Sequence, residues 1–240
     1  MGMGEARTGG GAAGATDPAA RAAAAAWPEG QRIQSLPGTP RILITRFTDI
    51  AGYHPGLAQR LLAAATDARA ARRYGRADGG TKLHDLAKLG GPELALIEAR
   101  ALELCRRGAG FPDPVVDLSW ANIYRNGDYI MPHSHPRAHA SAVYCLDEGD
   151  LPPDPQSVDG EFCFVDPRYS ACCHIQPDCM TMPIIPRLRA GCLILFPGQL
   201  VHAVNPYFGE RPRITLSWNL TREKLSGSPW DAMKSAKLPT

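Results

Sequence analysis

Apolar positions recur with two different periods along the chain. In HPGLAQRLLAAATDARAARR (54–73), Leu57, Leu61, Leu62 and Ala65 return at helical spacing, and Pro55 suits a first helical position. PELALIEARALELCRR (92–107) repeats the pattern through Leu94, Ile97, Ala101 and Leu104, with Pro92 at its start and arginines in its last turn. After Gly110 the period shortens. Runs such as VVDLSWANIYR (115–125), SAVYCL (141–146), GEFCFVD (160–166), MPIIP (182–186), GCLILFP (191–197), LVHAV (200–204) and RITLSWNL (213–220) are separated by Gly, Pro and Asp. Together with RILITRF (41–47), they predict an antiparallel barrel or sandwich. Helices followed by strands make an α+β fold, with the helices packed on the barrel. The glycine-rich stretch 74–91 reads as loop with a short apolar patch, LHDLAKL, and no internal repeat is visible.

Residues 1–40 read as a Gly/Ala-rich disordered tail closed by a linker at Pro28, Pro37 and Pro40. Residues 41–240 then form one domain, with 41–110 as helical support, 111–222 as the barrel core and 223–240 as a C-terminal tail. The formal net charge of +2 and the lack of a Lys/Arg block argue against a nucleic-acid partner or an anionic membrane surface. No apolar run approaches the ~20 residues of a spanning helix, and the N-terminus has no secretory apolar core. Seven cysteines, an odd number, read as reduced thiols in a cytoplasmic protein, with Cys105, Cys145, Cys163 and Cys192 in apolar contexts.

The chemistry concentrates in YIMPHSHPRAHASAVYCL (129–146), where His133 and His135 lie two apart at a strand entry and so face one side. His202, in LVHAV after the turn Phe196-Pro197-Gly198, offers a third imidazole, and Arg213 begins the strand that follows. Three ligands on a metal leave about three octahedral positions open for substrate and oxygen, as at non-haem iron centres. An arginine beside them would hold a carboxylate in bidentate fashion. Arg211 shares the parity of Arg213 and stands as an alternative clamp, while Asn122 and Tyr144 are candidate hydrogen-bond donors to the same anion. His54 and His84 have no partner pattern, His139 lies in the same loop as the pair with its direction unreadable beside Pro136, and Trp120 and Trp218 read as packing. The segment SACCHIQPDCM (170–180) lacks a zinc spacing and reads as a loop over the barrel mouth.

Taken in order, W-A-N-I-Y-R-x-G-D-Y, H-x-H-P, S-x-V-Y-x-L, G-E-F-x-F-x-D-P-R, G-x-L-x-x-F-P-x-x-L-x-H-x-V-x-P and R-I-T-L-S-W-N resemble the 2-oxoglutarate/Fe(II)-dependent oxygenases of bacteria and phages over roughly residues 115–220. The resemblance implies a double-stranded β-helix (a jelly-roll, cupin-like barrel) with flanking helices. It implies Fe(II) held by His133, His135 and His202, and the co-substrate 2-oxoglutarate held partly by Arg213. Such an enzyme would hydroxylate a small molecule or an amino-acid or protein side chain, releasing succinate and CO2. His135 stands where most of the superfamily has a carboxylate, so Asp147 or Asp150 is an alternative ligand. A three-histidine cupin-like protein that does not use 2-oxoglutarate, either a dioxygenase or a sensor, is the alternative function.

Overall fold

The computed structural model describes residues 26–36, 41–66, 80–165 and 183–226. Among these residues, two sheets carry the fold. The larger has seven strands in the order β1-β2-β8-β6-β10-β4-β3, and the smaller has three in the order β5-β9-β7. The strands of the large sheet are β1 (Gln34–Ser35), β2 (Leu43–Arg46), β3 (Thr81–His84), β4 (Val115–Tyr124), β6 (Ala140–Asp147), β8 (Cys192–Pro197) and β10 (Arg213–Thr221). The small sheet holds β5 (Ile130–His133), β7 (Phe162–Phe164) and β9 (His202–Val204). All pairings are antiparallel. The architecture is the double-stranded β-helix with helices on one side.

β10 lies inside the large sheet between β6 and β4, and all nine of its residues are buried. Alternate residues therefore serve two cores. On one face Leu216, Trp218 and Leu220 join the helices, and on the other Tyr124, Val143, Ile194 and Phe196 meet Phe162, Phe164 and Val204 of the small sheet. A one-residue slip of β10 would exchange the two sets, so the register is held by burial on both faces.

The helical layer is α1 (His54–Thr66), the short α2 (Leu86–Leu89) and α3 (Pro92–Ala109). Pro92 starts α3, Glu93 sits in its first turn, Arg106 and Arg107 in its last, and Gly110 ends it in a left-handed conformation at φ 66°. Leu94, Ile97, Ala101 and Leu104 form its buried stripe, as the spacing predicts. Trp218 Nε1 donates to Glu98 Oε2 at 3.0 Å and ties the sheet to this helix.

Two boundaries differ from expectation. Residues 26–36 are part of the domain rather than tail: Trp27 is buried with its ring 5.4 Å from that of Phe47. Arg100 is buried in α3, donates Nε–H to the Ala26 carbonyl and pairs through both terminal nitrogens with Asp49. The stretch 74–91, expected to be loop, supplies β3 and α2. The Cys-rich segment 170–180, residues 67–73 of the stretch expected to be the first helix and most of the two expected tails lie outside the described residues.

Candidate metal centre

His133 and His202 are direct partners across β5 and β9. The register shifts between Ile130 and His133, so three residues on β5 span two on β9. That irregularity turns His133 inward alongside Ile130 despite their odd spacing, and both line one cavity. His135 is not on the strand, contrary to the alternation argument, because β5 ends at His133. A turn carries it instead, where its backbone N–H donates to the Gly198 carbonyl at 2.7 Å and Gly198 N–H donates to the His139 carbonyl at 3.2 Å. Gly198 is obligatory at this crossing: a Cβ there would sit 2.1 Å from the Ala138 carbonyl oxygen and 2.8 Å from that of His135.

One nitrogen from each of His133, His135 and His202 lies within 4.8 Å of the others. Carbonyl oxygens two residues upstream orient two of the rings: Nδ1 of His133 is 2.9 Å from the Met131 oxygen, and Nδ1 of His202 is 2.9 Å from that of Leu200. Donation at Nδ1 leaves Nε2 as the lone-pair nitrogen in each. Burial, with repulsion from His133, pushes His202 down to about 3, and burial with repulsion from His133 and Lys82 pushes His135 down to about 4. His133 is lowered as well, chiefly by burial. All three imidazoles are neutral at pH 7, the form that binds a metal.

The same cavity holds Arg213, which is 4% exposed. Its guanidinium carbon is 5.1 Å from the centroid of Tyr124, its partner across β4 and β10. Neither Nη1 nor Nη2 has a hydrogen-bond partner among the described residues. A buried cation so placed carries a desolvation cost of several kcal/mol that an anion would offset. Asn122, 3% exposed, also lines the cavity, with Oδ1 unpartnered among the described residues.

Two expected residues lie elsewhere. Tyr144 points to the helical face, where its hydroxyl is 2.7 Å from His54 Nε2; the cavity side of β6 belongs to Ser141 and Val143. Arg211 is at the surface, paired at 3.1 Å with Asp147. Asp147 and Asp150 are engaged with Arg211 and with loop N–H groups, outside the histidine cluster. Sequence reasoning missed Lys82, Thr215 and Ser217 as cavity-lining residues and took Trp120 for packing alone. The alternation from Arg213 through Thr215 to Ser217 was the signal for two of them.

Residues 118–219 match the family model described as "Putative 2OG-Fe(II) oxygenase". The match covers the strand-rich part of the chain. The matched segment spans β4 to β10 and holds the three histidines and Arg213. The fold is shared with AviO1 from Streptomyces viridochromogenes Tue57, at 17% identity and TM-score 0.53 over 78% of this chain and 92% of that one. It is shared also with HygX from Streptomyces hygroscopicus, solved with nickel and 2-oxoglutarate, at 14% identity and TM-score 0.54 over 76% and 82%. The epimerase SnoN from nogalamycin biosynthesis aligns at 18% identity and TM-score 0.54 over 85% and 84%. No curated protein sequence matches the chain.

Proposed function

We propose that the protein is an Fe(II)- and 2-oxoglutarate-dependent dioxygenase that hydroxylates its substrate. The observation that carries this reading is the pairing, in one cavity, of three neutral convergent imidazoles with a buried guanidinium whose terminal nitrogens have no partner among the described residues. The donor set fits a divalent metal: His133, His135 and His202 would hold it, and three imidazoles leave coordination positions open. Arg213 fits an anion, and would take the distal carboxylate of 2-oxoglutarate in bidentate fashion. HygX, which shares the fold, was solved with nickel and 2-oxoglutarate bound, and this supports the reading.

Iron and 2-oxoglutarate, when bound, supply the oxidising chemistry: one atom of O2 goes to succinate as CO2 is lost, and the other to the hydroxylated product. The chain's own residues position and screen. The Met131 and Leu200 carbonyls hold two imidazoles in the ligating tautomer. Asn122 would orient the co-substrate beside Arg213. Phe162 and Phe196 flank His202 at ring distances of 5.3 and 4.8 Å and keep water from that side. The ligand set contains no carboxylate, so the metal keeps its full charge until a dianionic co-substrate offsets it.

Four of the seven cysteines are described, and all four are free and buried, which supports the cytoplasmic reading. No described helix is long and apolar enough to cross a membrane.

Succinate release from 2-oxoglutarate, with Fe²⁺ under air, tests the proposal. The wild type should release it and His202→Ala should not. Equal rates would remove His202 from the chemistry. Metal binding without 2-oxoglutarate binding, unchanged by Arg213→Ala, would favour the three-histidine protein that uses no 2-oxoglutarate.

A further inference from the structure

His202 is the most enclosed of the three candidate ligands. It is buried, whereas His133 and His135 are half-buried. The rings of Phe162, Phe196 and His133 all meet its own. The Phe162 contact differs in kind from the other two. Its ring plane lies 19° from that of His202 with the centroids 5.3 Å apart, an offset stack. Phe196 meets the imidazole edge-on, at 63° and 4.8 Å, and His133 is tilted by 54°.

The stack follows from the pairing of the small sheet. Across β7 and β9, Phe162 stands opposite Val204 and Phe164 opposite His202. Phe162 and His202 are therefore diagonal neighbours on one face, a separation that aromatic side chains span. Phe162 is itself held in place. It is buried, and its ring packs on those of Phe164 at 5.0 Å and Phe196 at 5.7 Å. The torsion that sets a histidine ring plane has a broad minimum, so the plane needs outside support. The Nδ1 contact with the Leu200 carbonyl, at 2.9 Å, fixes one nitrogen but lets the ring tip about that line. A parallel face packed against the ring removes this freedom. His133 has the matching contact with Met131, but its ring contacts with His135 and His202 are edge-on and tilted.

We infer that Phe162 is a positioning residue: by stacking on His202 it fixes the imidazole plane and so the direction in which the Nε2 lone pair meets the metal. This rests on the reading of the three histidines as metal ligands. Without the Phe162 ring the ligand is still present, but its lone pair is no longer held on the point where the other two converge.

The test titrates the full-length apoprotein with Ni(II) by calorimetry and with Co(II), whose visible absorption reports coordination geometry. Phe162→Leu keeps an apolar side chain and removes the ring. It should weaken Ni(II) binding by about tenfold, the scale of losing a contact that orients a ligand, and alter the Co(II) bands. Leu188→Ala is the control. Leu188 is buried in the same core but outside the cavity lining, so this variant loses packing without touching the ligand. It should melt below the wild type yet match it in Ni(II) affinity and Co(II) spectrum. If Phe162→Leu does not fold, Phe162→Met, a flexible apolar filler, carries the same prediction. The inference is overturned if the Phe162 variant binds Ni(II) and absorbs as the wild type does. It is overturned equally if Leu188→Ala loses as much affinity, or if neither Phe162 variant folds, since either result would assign Phe162 to the core alone. Failure of the wild type to bind either metal would instead strike at the metal-centre reading, and this inference would fall with it.

Discussion

His133 and His202 face each other as direct partners across β5 and β9, and each ring's Nδ1 is fixed 2.9 Å from the carbonyl two residues before it. The same local hydrogen bond thus appears twice, once on each strand, and aims two lone pairs at one point. His133→Ala and His202→Ala should each lower metal affinity by about a hundredfold or more, since removing one of three ligands leaves two. Titration of Fe²⁺ or Ni²⁺ into apoprotein reads this directly.

Gly198 carries the third ligand indirectly. Its carbonyl accepts from His135 N–H, and an added methyl would meet two backbone oxygens that cannot rotate away. Gly198→Ala should destabilise the fold by about 1–3 kcal/mol, as overpacking does, and displace His135. A thermal melt and a metal titration of the same sample would show both losses; metal affinity equal to wild type would separate the turn from the site.

Arg213 and Arg211 differ by two residues and by environment. Arg213 is buried in the cavity and Arg211 is a surface partner of Asp147. Arg213→Ala should weaken 2-oxoglutarate binding by about a hundredfold, two charge-assisted hydrogen bonds' worth, and Arg211→Ala should leave it unchanged. Calorimetry on metal-loaded variants distinguishes them.

Tyr144 provides the opposite contrast. Tyr144→Phe removes its contact with His54 in the helical core and should cost about 1 kcal/mol of stability, a fall of roughly 2–4 °C in Tm. Binding of 2-oxoglutarate should not change.

Acid should unfold the apoprotein through the same histidines. Their folded-state values lie below the unfolded 6.5, at about 4 for His135 and about 3 for His202, so the unfolded chain takes up protons first. Stability is therefore full above pH 6.5 and declines as pH falls toward 4 and 3. Melting temperatures of chelator-treated protein should drop over that window, and His202→Asn should flatten the drop.

Period and punctuation made the helices and most strands legible, and ordered blocks of residues made the site legible, because both are written locally. Long-range pairing was not. Whether Tyr144 or Ser141 faces the cavity depends on the register of β6 against β10, and the run Ala140–Leu146 is buried on both faces, leaving no polar alternation to decide it. His135 looked like a strand residue because its hydrogen bond to Gly198 joins segments more than sixty residues apart. Trp27 was lost in an alanine-rich stretch whose anchors, among them Phe47, Arg100 and Arg107, lie far along the chain. Lys82 sits on a four-residue edge strand among glycines, too short for any period to show.

Calorimetric titration of 2-oxoglutarate into Fe(II)-loaded protein without oxygen, repeated on apoprotein, tests the central claim most directly. The account predicts one equivalent bound, only with metal present, and binding lost in Arg213→Ala. Binding that is absent, or that ignores both the metal and Arg213, would contradict it.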